Sequence, residues 1–153
     1  MARNKGFRFK KAFEAAGGIT AQLASPIGNI AKQEFEENFD RQGFMDNRLE
    51  RWKEVQRRIP GTQSYKRATP SGRSAPILRG RGSGVLAKSI RVVRATSRLI
   101  RLSTIGKANN YAAYHNDGSG KIPKRQFMGN SKNLDRLIIK RIDREIMKAL
   151  RMV

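Results

Sequence analysis

His115 is the one histidine of the 153-residue chain, and it lies in the string Tyr-Ala-Ala-Tyr-His-Asn-Asp-Gly at residues 111–118. An imidazole can hold a metal or act as a general base. A structural zinc site, however, needs about four ligands, and hydrolytic catalysis needs a nucleophile and a group that orients the histidine. Only Asp117 stands close by in the sequence as a further ligand. The string therefore predicts a histidine that hydrogen-bonds at a turn.

The acidic residues offer no catalytic pair either. Four of them fall on the polar side of a predicted helix, where charges ordinarily meet water: Glu34, Glu36, Glu37 and Asp40. The chain has no cysteine, which excludes disulfides, thiolate metal sites and cysteine nucleophiles. We therefore expect a protein that is not an enzyme, with no catalytic residue, no metal site and no cofactor.

Residues 79–84, Arg-Gly-Arg-Gly-Ser-Gly, are similar to a phosphate-binding loop only in composition. Such a loop ends in Gly-Lys-Ser or Gly-Lys-Thr and follows an apolar strand. This stretch has neither feature, so a flexible basic linker is the better interpretation.

Positive charge dominates the composition, because 33 Lys and Arg against 12 Asp and Glu give a formal net charge of +21. Such a chain is expected to meet polyanions: nucleic-acid phosphates, acidic protein surfaces or anionic lipids. No acidic residue lies between Glu54 and Asp117. Within this stretch, the candidate contacts to a partner protein or to DNA are Arg57, Arg58, Arg67, Arg73, Arg79 and Arg81.

The elements that would position these residues start with a basic flexible arm, residues 1–18, which ends in a double glycine unsuited to a helix. Ser25-Pro26 is a helix-start signal, and helical apolar spacing follows it, so we expect an amphipathic helix that ends near Gly43. Residues 44–84 lack periodicity and predict an extended loop with one helical turn at about residues 48–55.

Residues 89–105 alternate and are rich in β-branched side chains, which predicts a hairpin with a break at residues 95–97. Ser131 is a candidate N-cap for a last helix, whose apolar face carries Leu134, Leu137, Ile138, Ile142, Ile146, Ala149 and Leu150. We therefore expect an α+β fold in which an N-terminal and a C-terminal helix pack on a small antiparallel sheet. Residues 19–153 would form one domain, and no stretch is apolar enough to cross a membrane.

Several strings in series carry a resemblance to a known family. They are Asn38-Phe39 to Gly43-Phe44 followed by Trp52, then Ile77-Leu78-Arg79 with Gly84-Val85-Leu86 and Ser89-Ile90, then residues 111–118, and finally Ile122-Pro123 to Gly129 with Ser131. This series resembles the phage virion-morphogenesis family, the Mu G-like group related to tail-completion proteins. It covers about residues 35–150 and departs from the family at Gln126, where proline is frequent, and in its more basic loop. The residues that match the family motifs are Trp52, Tyr111, Tyr114, His115, Gly118, Pro123, Arg125, Phe127, Gly129 and Ser131.

The resemblance implies a structural protein of the virion, assembled in the host bacterial cytoplasm, that acts at the head-to-tail junction in the neck or in tail completion. It implies a homo-oligomeric ring, a hexamer or dodecamer, that meets the connector or adaptor, the tail terminator and the tail tube, near the genomic DNA. It also implies that residues 111–115 form a turn and residues 123–127 a strand at one edge of the sheet. A membrane is not an expected partner. The alternative that the charge leaves open is a nucleic-acid-binding basic protein.

Overall fold

The computed structural model describes residues 17–79 and 84–150 of the chain. Its helices are α1 (Gly17–Arg41), α2 (Gln63–Arg67), α3 (Pro70–Ser74), α4 (Val85–Lys88), α5 (Asn109–Asp117) and α6 (Lys132–Leu150). Its strands are β1 (Gly43–Met45), β2 (Leu49–Arg51), β3 (Ile90–Ala95) and β4 (Ile100–Thr104), and single 3₁₀ turns cover Gln56–Arg58 and Gly106–Ala108. Helices at both ends with antiparallel strands between them confirm the predicted α+β class.

Helix α1 begins earlier than its sequence signals predict. We expected a start at Ser25-Pro26, with Gly17 and Gly18 in the arm, but the helix begins at Gly17 and runs through Pro26. A proline inside a helix removes one backbone hydrogen bond and crowds the preceding turn. The turn before Pro26 buries Leu23 and Ala24, and this burial offsets the loss.

The strands form two separate two-stranded antiparallel sheets, where one sheet was expected. The predicted hairpin is confirmed as β3–β4, with Ile90 opposite Thr104 and a bulge between Val92 and Arg94. The second hairpin, β1–β2, lies where the sequence indicated a helical turn. Its strands have three residues each, which is too short for a period-2 pattern to be visible.

The stretch 44–84 is an ordered chain over its described part, and the prediction of a long structureless loop was wrong. After β2 it forms a 3₁₀ turn and the short helices α2 and α3. Thr62 and Thr69 cap these two helices by accepting the backbone N–H groups of Tyr65 and Gly72, each at 3.1 Å. Helices of five residues bury no periodic face, so hydrophobic spacing carries no signal of them.

Helix α1 is the centre of the fold, with the β3–β4 hairpin on one side and α6 on the other. Gly28 lets the hairpin approach closely, since a Cβ at this position would lie 2.9 Å from a methyl carbon of Val92. The C-terminal helix was expected to pack on the sheet and packs instead on α1. The core between these elements contains the fully buried side chains of Phe39, Ile90 and Phe127.

The chain between the hairpin and α6 differs from the predicted turn and strand. Residues 109–117 form helix α5, and residues 123–127 are extended but belong to no sheet. The N–H of Arg125 donates to the His115 carbonyl at 2.7 Å, and those of Phe127 and Met128 donate to the Asn116 side-chain oxygen. These bonds provide acceptors for backbone N–H groups that were expected to bond to a neighbouring strand.

Helix α6 starts where the sequence predicts. The hydroxyl of Ser131 accepts the N–H of Leu134 at 3.0 Å, which is the geometry of a side-chain N-cap. The apolar face that follows is only partly covered: Leu134 is buried and Ile138 packs against the core, whereas Leu137 and Ile146 remain exposed. Over residues 17–79 and 84–150, no helix combines the length and the apolar content that a membrane span requires.

Candidate functional site

The central loop, residues 118–131, holds most of the residues that match the family motifs. Phe127 is its anchor: the ring is buried, lies 5.0 Å from that of Phe39, and its carbonyl accepts a bond from the Asn38 side chain. Trp52 packs edge-on against Phe39 at 5.5 Å, and its indole N–H donates to the Gln126 carbonyl at 2.7 Å. The loop is therefore fixed by aromatic packing and by bonds to its own backbone.

Three glycines of the loop, Gly118, Gly120 and Gly129, have a positive φ that other residues rarely adopt. Gly118 has a φ of 80°, and a Cβ there would lie 2.9 Å from the backbone nitrogen of Lys124. Gly129 has a φ of 151°, and a Cβ would meet the Gln126 side-chain nitrogen at 2.5 Å. Glycine is required at both places by the turn itself.

The remaining family-motif residues lie around this loop at different depths. Arg125 is buried, and its Nε donates to the Lys53 carbonyl at 3.1 Å. Tyr111 packs against the core and stands edge-on to His115, with 5.9 Å between ring centres, whereas Pro123 is half-buried and Tyr114 is exposed. Most of these residues hold the fold together, which explains their pattern without a catalytic role.

Two neighbouring arginines of the basic segment, residues 53–79, serve its internal structure. Arg57 donates from Nε to the Gly72 carbonyl and from Nη2 to that of Ala75, both at 2.8 Å. Arg58 donates to the carbonyls of Arg73 and Ala75 at 3.0 and 2.9 Å. Two adjacent planar forks thus fasten the 3₁₀ turn to the chain after α3.

The other predicted arginine contacts are distributed differently. Arg73 stacks on the Tyr65 ring at 3.9 Å and donates to the Tyr65 carbonyl, so it too acts within the segment. Arg79 pairs with Asp40 at 2.6 Å, and Arg67 is exposed. Arg81 lies outside the described residues.

A groove of about 600 Å³ opens between the basic segment and α5, and we call it the basic groove. Its lining combines aliphatic and cationic side chains: Val55, Arg57, Ile77, Leu78, Arg79, Val85, Leu86, Lys107, Tyr111, His115 and Arg125. No acidic residue is among them. A cavity of this size lies in the range of ligand sites.

Polar atoms at the groove lack partners within the described part of the chain. Arg79 Nε and His115 Nδ1 are both buried and make no hydrogen bond there. Burial and the neighbouring Arg125 lower the pKa of His115, and burial with the Arg58 charge lowers the pKa of Arg57. Burial also lowers the pKa of Arg125, with the charge of Arg57 adding to the effect. The groove therefore holds an excess of positive charge that an anion would relieve.

Sequence reasoning missed several polar side chains that organise this region. Glu34, which was expected to meet water, is buried and accepts bonds from Arg41 and Asn133, at 2.8 and 2.9 Å. The Gln42 side chain bonds to both backbone groups of Ile77, joining the end of α1 to the basic segment. Each bond joins residues far apart in the chain, except that of Glu34 with Arg41. No local sequence pattern predicts such contacts.

The described residues were expected to hold neither a metal site nor a catalytic centre, and their side chains bear on the metal site and on His115. Among them, no group of three or more His, Asp or Glu side chains is placed to hold a metal ion. His115 has neither a nucleophile nor a carboxylate as a hydrogen-bond partner within this part of the chain. No family model, no curated protein and no solved structure matches the chain.

Proposed function

We propose that the chain is a structural assembly protein of a bacteriophage virion that works as a homo-oligomeric ring at the head-to-tail junction. The observation that carries this proposal is the apolar face of α6, which the described residues cover only in part. Leu134 is buried, but Leu137 is 37% exposed and Ile146 is 43% exposed. An uncovered apolar helix face favours contact with another protein surface.

The family resemblance implies which proteins that contact would join. The matching residues mostly stabilise the central loop, which leaves α6, the β3–β4 hairpin and the basic groove as surfaces for other molecules. A closed ring uses one head-to-tail interface repeated around an axis. We propose a hexamer or dodecamer that meets the connector or adaptor on one side and the tail terminator or tube on the other.

Native mass spectrometry of the full chain tests self-association. The proposal expects a closed oligomer that Ile146→Glu converts to a folded monomer, because a carboxylate in an apolar interface is costly. Ile105→Glu is the matched control, since Ile105 is 46% exposed but lies outside α6, and this variant should keep the oligomer. A wild-type chain that stays monomeric at all concentrations, or two variants that behave alike, would remove α6 as the interface.

Deletion of the gene from its phage genome tests the place of action. The expected product is filled heads and complete tails that fail to join, which electron micrographs of the lysate would reveal. Infectious joined particles from the deletion would overturn the assembly proposal. Empty heads would point instead to a step in DNA packaging.

A second candidate function, nucleic-acid binding, is favoured by the β3–β4 hairpin. Arg94 and Arg101 face each other across the ladder, and both are exposed, as is Arg98 at the turn. Like charges in this position repel each other, and a phosphate backbone would relieve the repulsion. We expect a dedicated binder to hold DNA with a steep salt dependence, and replacement of these three arginines by glutamine to reduce the slope by about three.

A further inference from the structure

We propose that the basic groove binds an acidic peptide segment of a partner protein, in which a carboxylate and an apolar side chain lie next to each other. The proposal rests on the assembly function for the existence of a partner protein. It concerns a different surface from α6, so an experiment can contradict the peptide proposal and leave the assembly proposal standing, or the reverse. Cationic and aliphatic side chains line the same concave groove. Such a groove fits an occupant that carries both a negative charge and an apolar group.

The position of the carboxylate follows from which donors are already used. The guanidinium groups of Arg57 and Arg125 already donate to backbone carbonyls of the chain. The Nη2 of Arg79 pairs with Asp40, but Arg79 Nε and His115 Nδ1 are buried and have no partner within the described residues. Lys107 is exposed at the rim with no ion pair to the described residues. The carboxylate is therefore placed among Arg79, Lys107 and His115.

The backbone of the groove supports a binding role. Leu78 has a φ of 59°, a left-handed conformation that is unfavourable for a residue with a branched side chain. This conformation is retained between Ile77, which is buried and bonded to Gln42, and Arg79, which is paired with Asp40. Strain held by its surroundings in this way is typical of ligand-binding segments.

The aliphatic floor favours a peptide over a nucleic acid. Single-stranded nucleic acids bind through aromatic platforms and an open basic track, but Tyr111 is the one aromatic ring in the lining and it packs edge-on against His115. Val55 and Leu78, which are partly buried, and the exposed Val85 offer apolar contact that a phosphodiester chain does not use. The exposed hairpin arginines are the better surface for phosphates.

Fluorescence anisotropy with a labelled peptide of alternating glutamate and leucine tests the groove on the full chain. Lys107→Glu introduces a carboxylate at the rim and should weaken binding about tenfold. Lys121→Glu changes the net charge equally at an exposed position outside the lining, so non-specific attraction falls by the same amount and binding should change less than about twofold. Circular dichroism of each variant checks that the fold is retained.

Two further probes separate charge from shape. Peptides in which serine replaces leucine, or glutamine replaces glutamate, should each bind more weakly than the parent. A thymidine oligonucleotide of equal charge should fail to displace the parent peptide. Equal losses in the two lysine variants, full binding of the serine peptide, or displacement by the oligonucleotide would each overturn the proposal, and the last would assign the groove to nucleic acid.

His115 provides a spectroscopic readout that non-specific attraction does not move. Arg125 from the central loop acts on its charge and Tyr111 from α5 stands against its ring, and the other charged groups that line the groove with it are Lys107 before α5 and Arg57 and Arg79 from the basic segment. A bound carboxylate should raise the pKa of His115, which nuclear magnetic resonance follows through its ring protons. An unchanged pKa at saturating peptide would exclude the groove as the binding place.

Discussion

Two arginine-rich regions of this molecule use the same side chain in opposite ways. In the basic segment, Arg57 and Arg58 donate to carbonyl groups of their own chain. In the β3–β4 hairpin, the side chains of Arg94, Arg98 and Arg101 are exposed and donate no hydrogen bond to the described residues, whereas that of Arg91 at the base of the hairpin donates to the Lys88 carbonyl at 2.6 Å. Residues 55–116 carry no acidic side chain, so the net charge alone does not distinguish the basic segment from the hairpin.

The difference shows what a count of charges leaves out. A guanidinium that bonds to carbonyls replaces the backbone pairing of a sheet or helix, and it lets a short irregular segment keep an ordered path. A guanidinium that stands in water stabilises nothing locally and remains available to a polyanion. In the basic segment, Arg57 and Arg58 therefore serve the local structure, whereas the exposed arginines of the hairpin remain available to a partner.

Removal of one structural arginine gives the largest expected effect. Arg57→Ala removes the arginine donor from the carbonyls of Gly72 and Pro76 and leaves the Ala75 carbonyl with Arg58 alone. It should lower the free energy of unfolding by about 3 kcal/mol. Arg94→Ala, the matched control on the hairpin, should change it by about 0.5 kcal/mol or less. Urea unfolding of both variants measures the difference, and equal effects would abolish the distinction between the regions.

The sequence predicts the elements that have a strong local pattern. Ser131 and the apolar spacing after it identify α6, and the alternation in residues 89–105 identifies the hairpin, because one buried face imposes its period on the chain. The same logic misplaced the start of α1, where burial of Leu23 and Ala24 outweighs Pro26. Local rules indicate what a segment prefers, and packing decides between competing preferences.

The candidate site was predictable in composition but not in geometry. The arginines were recognised as the charged feature, yet their bonds to carbonyls 15 to 19 residues away depend on how the chain returns after α3. The basic groove unites residues from four separate stretches of sequence, from Val55 to Arg125. Such convergence is a property of the folded chain.

A smaller effect separates geometry from charge within the basic segment. Arg57→Lys keeps the positive charge but loses the planar fork that reaches Gly72 and Ala75 together, so we expect a loss of about 2 kcal/mol. Arg94→Lys on the hairpin should leave both stability and DNA affinity nearly unchanged, since a point charge serves a phosphate there. Urea unfolding at high and low salt checks this. If Arg57→Lys is as stable as the wild type, the segment needs charge and not hydrogen-bond geometry.

The smallest effect follows from the positive charge gathered at the basic groove. Burial and the nearby Arg125 lower the pKa of His115 below its ordinary value of 6.5. The unfolded chain therefore binds a proton at pH values where the folded chain does not, and the free energy of unfolding falls as the pH drops through 6.5 towards the folded pKa. The loss should stay below about 1 kcal/mol, because the ring is partly exposed and solvent screens the repulsion. His115→Asn should abolish this component while the titration of the carboxylates continues in both proteins, so the difference between the two pH profiles isolates it. Coincident profiles would mean that the cations around the groove do not act on the histidine. In that case the charges of the basic segment would be as well screened by solvent as those of the hairpin.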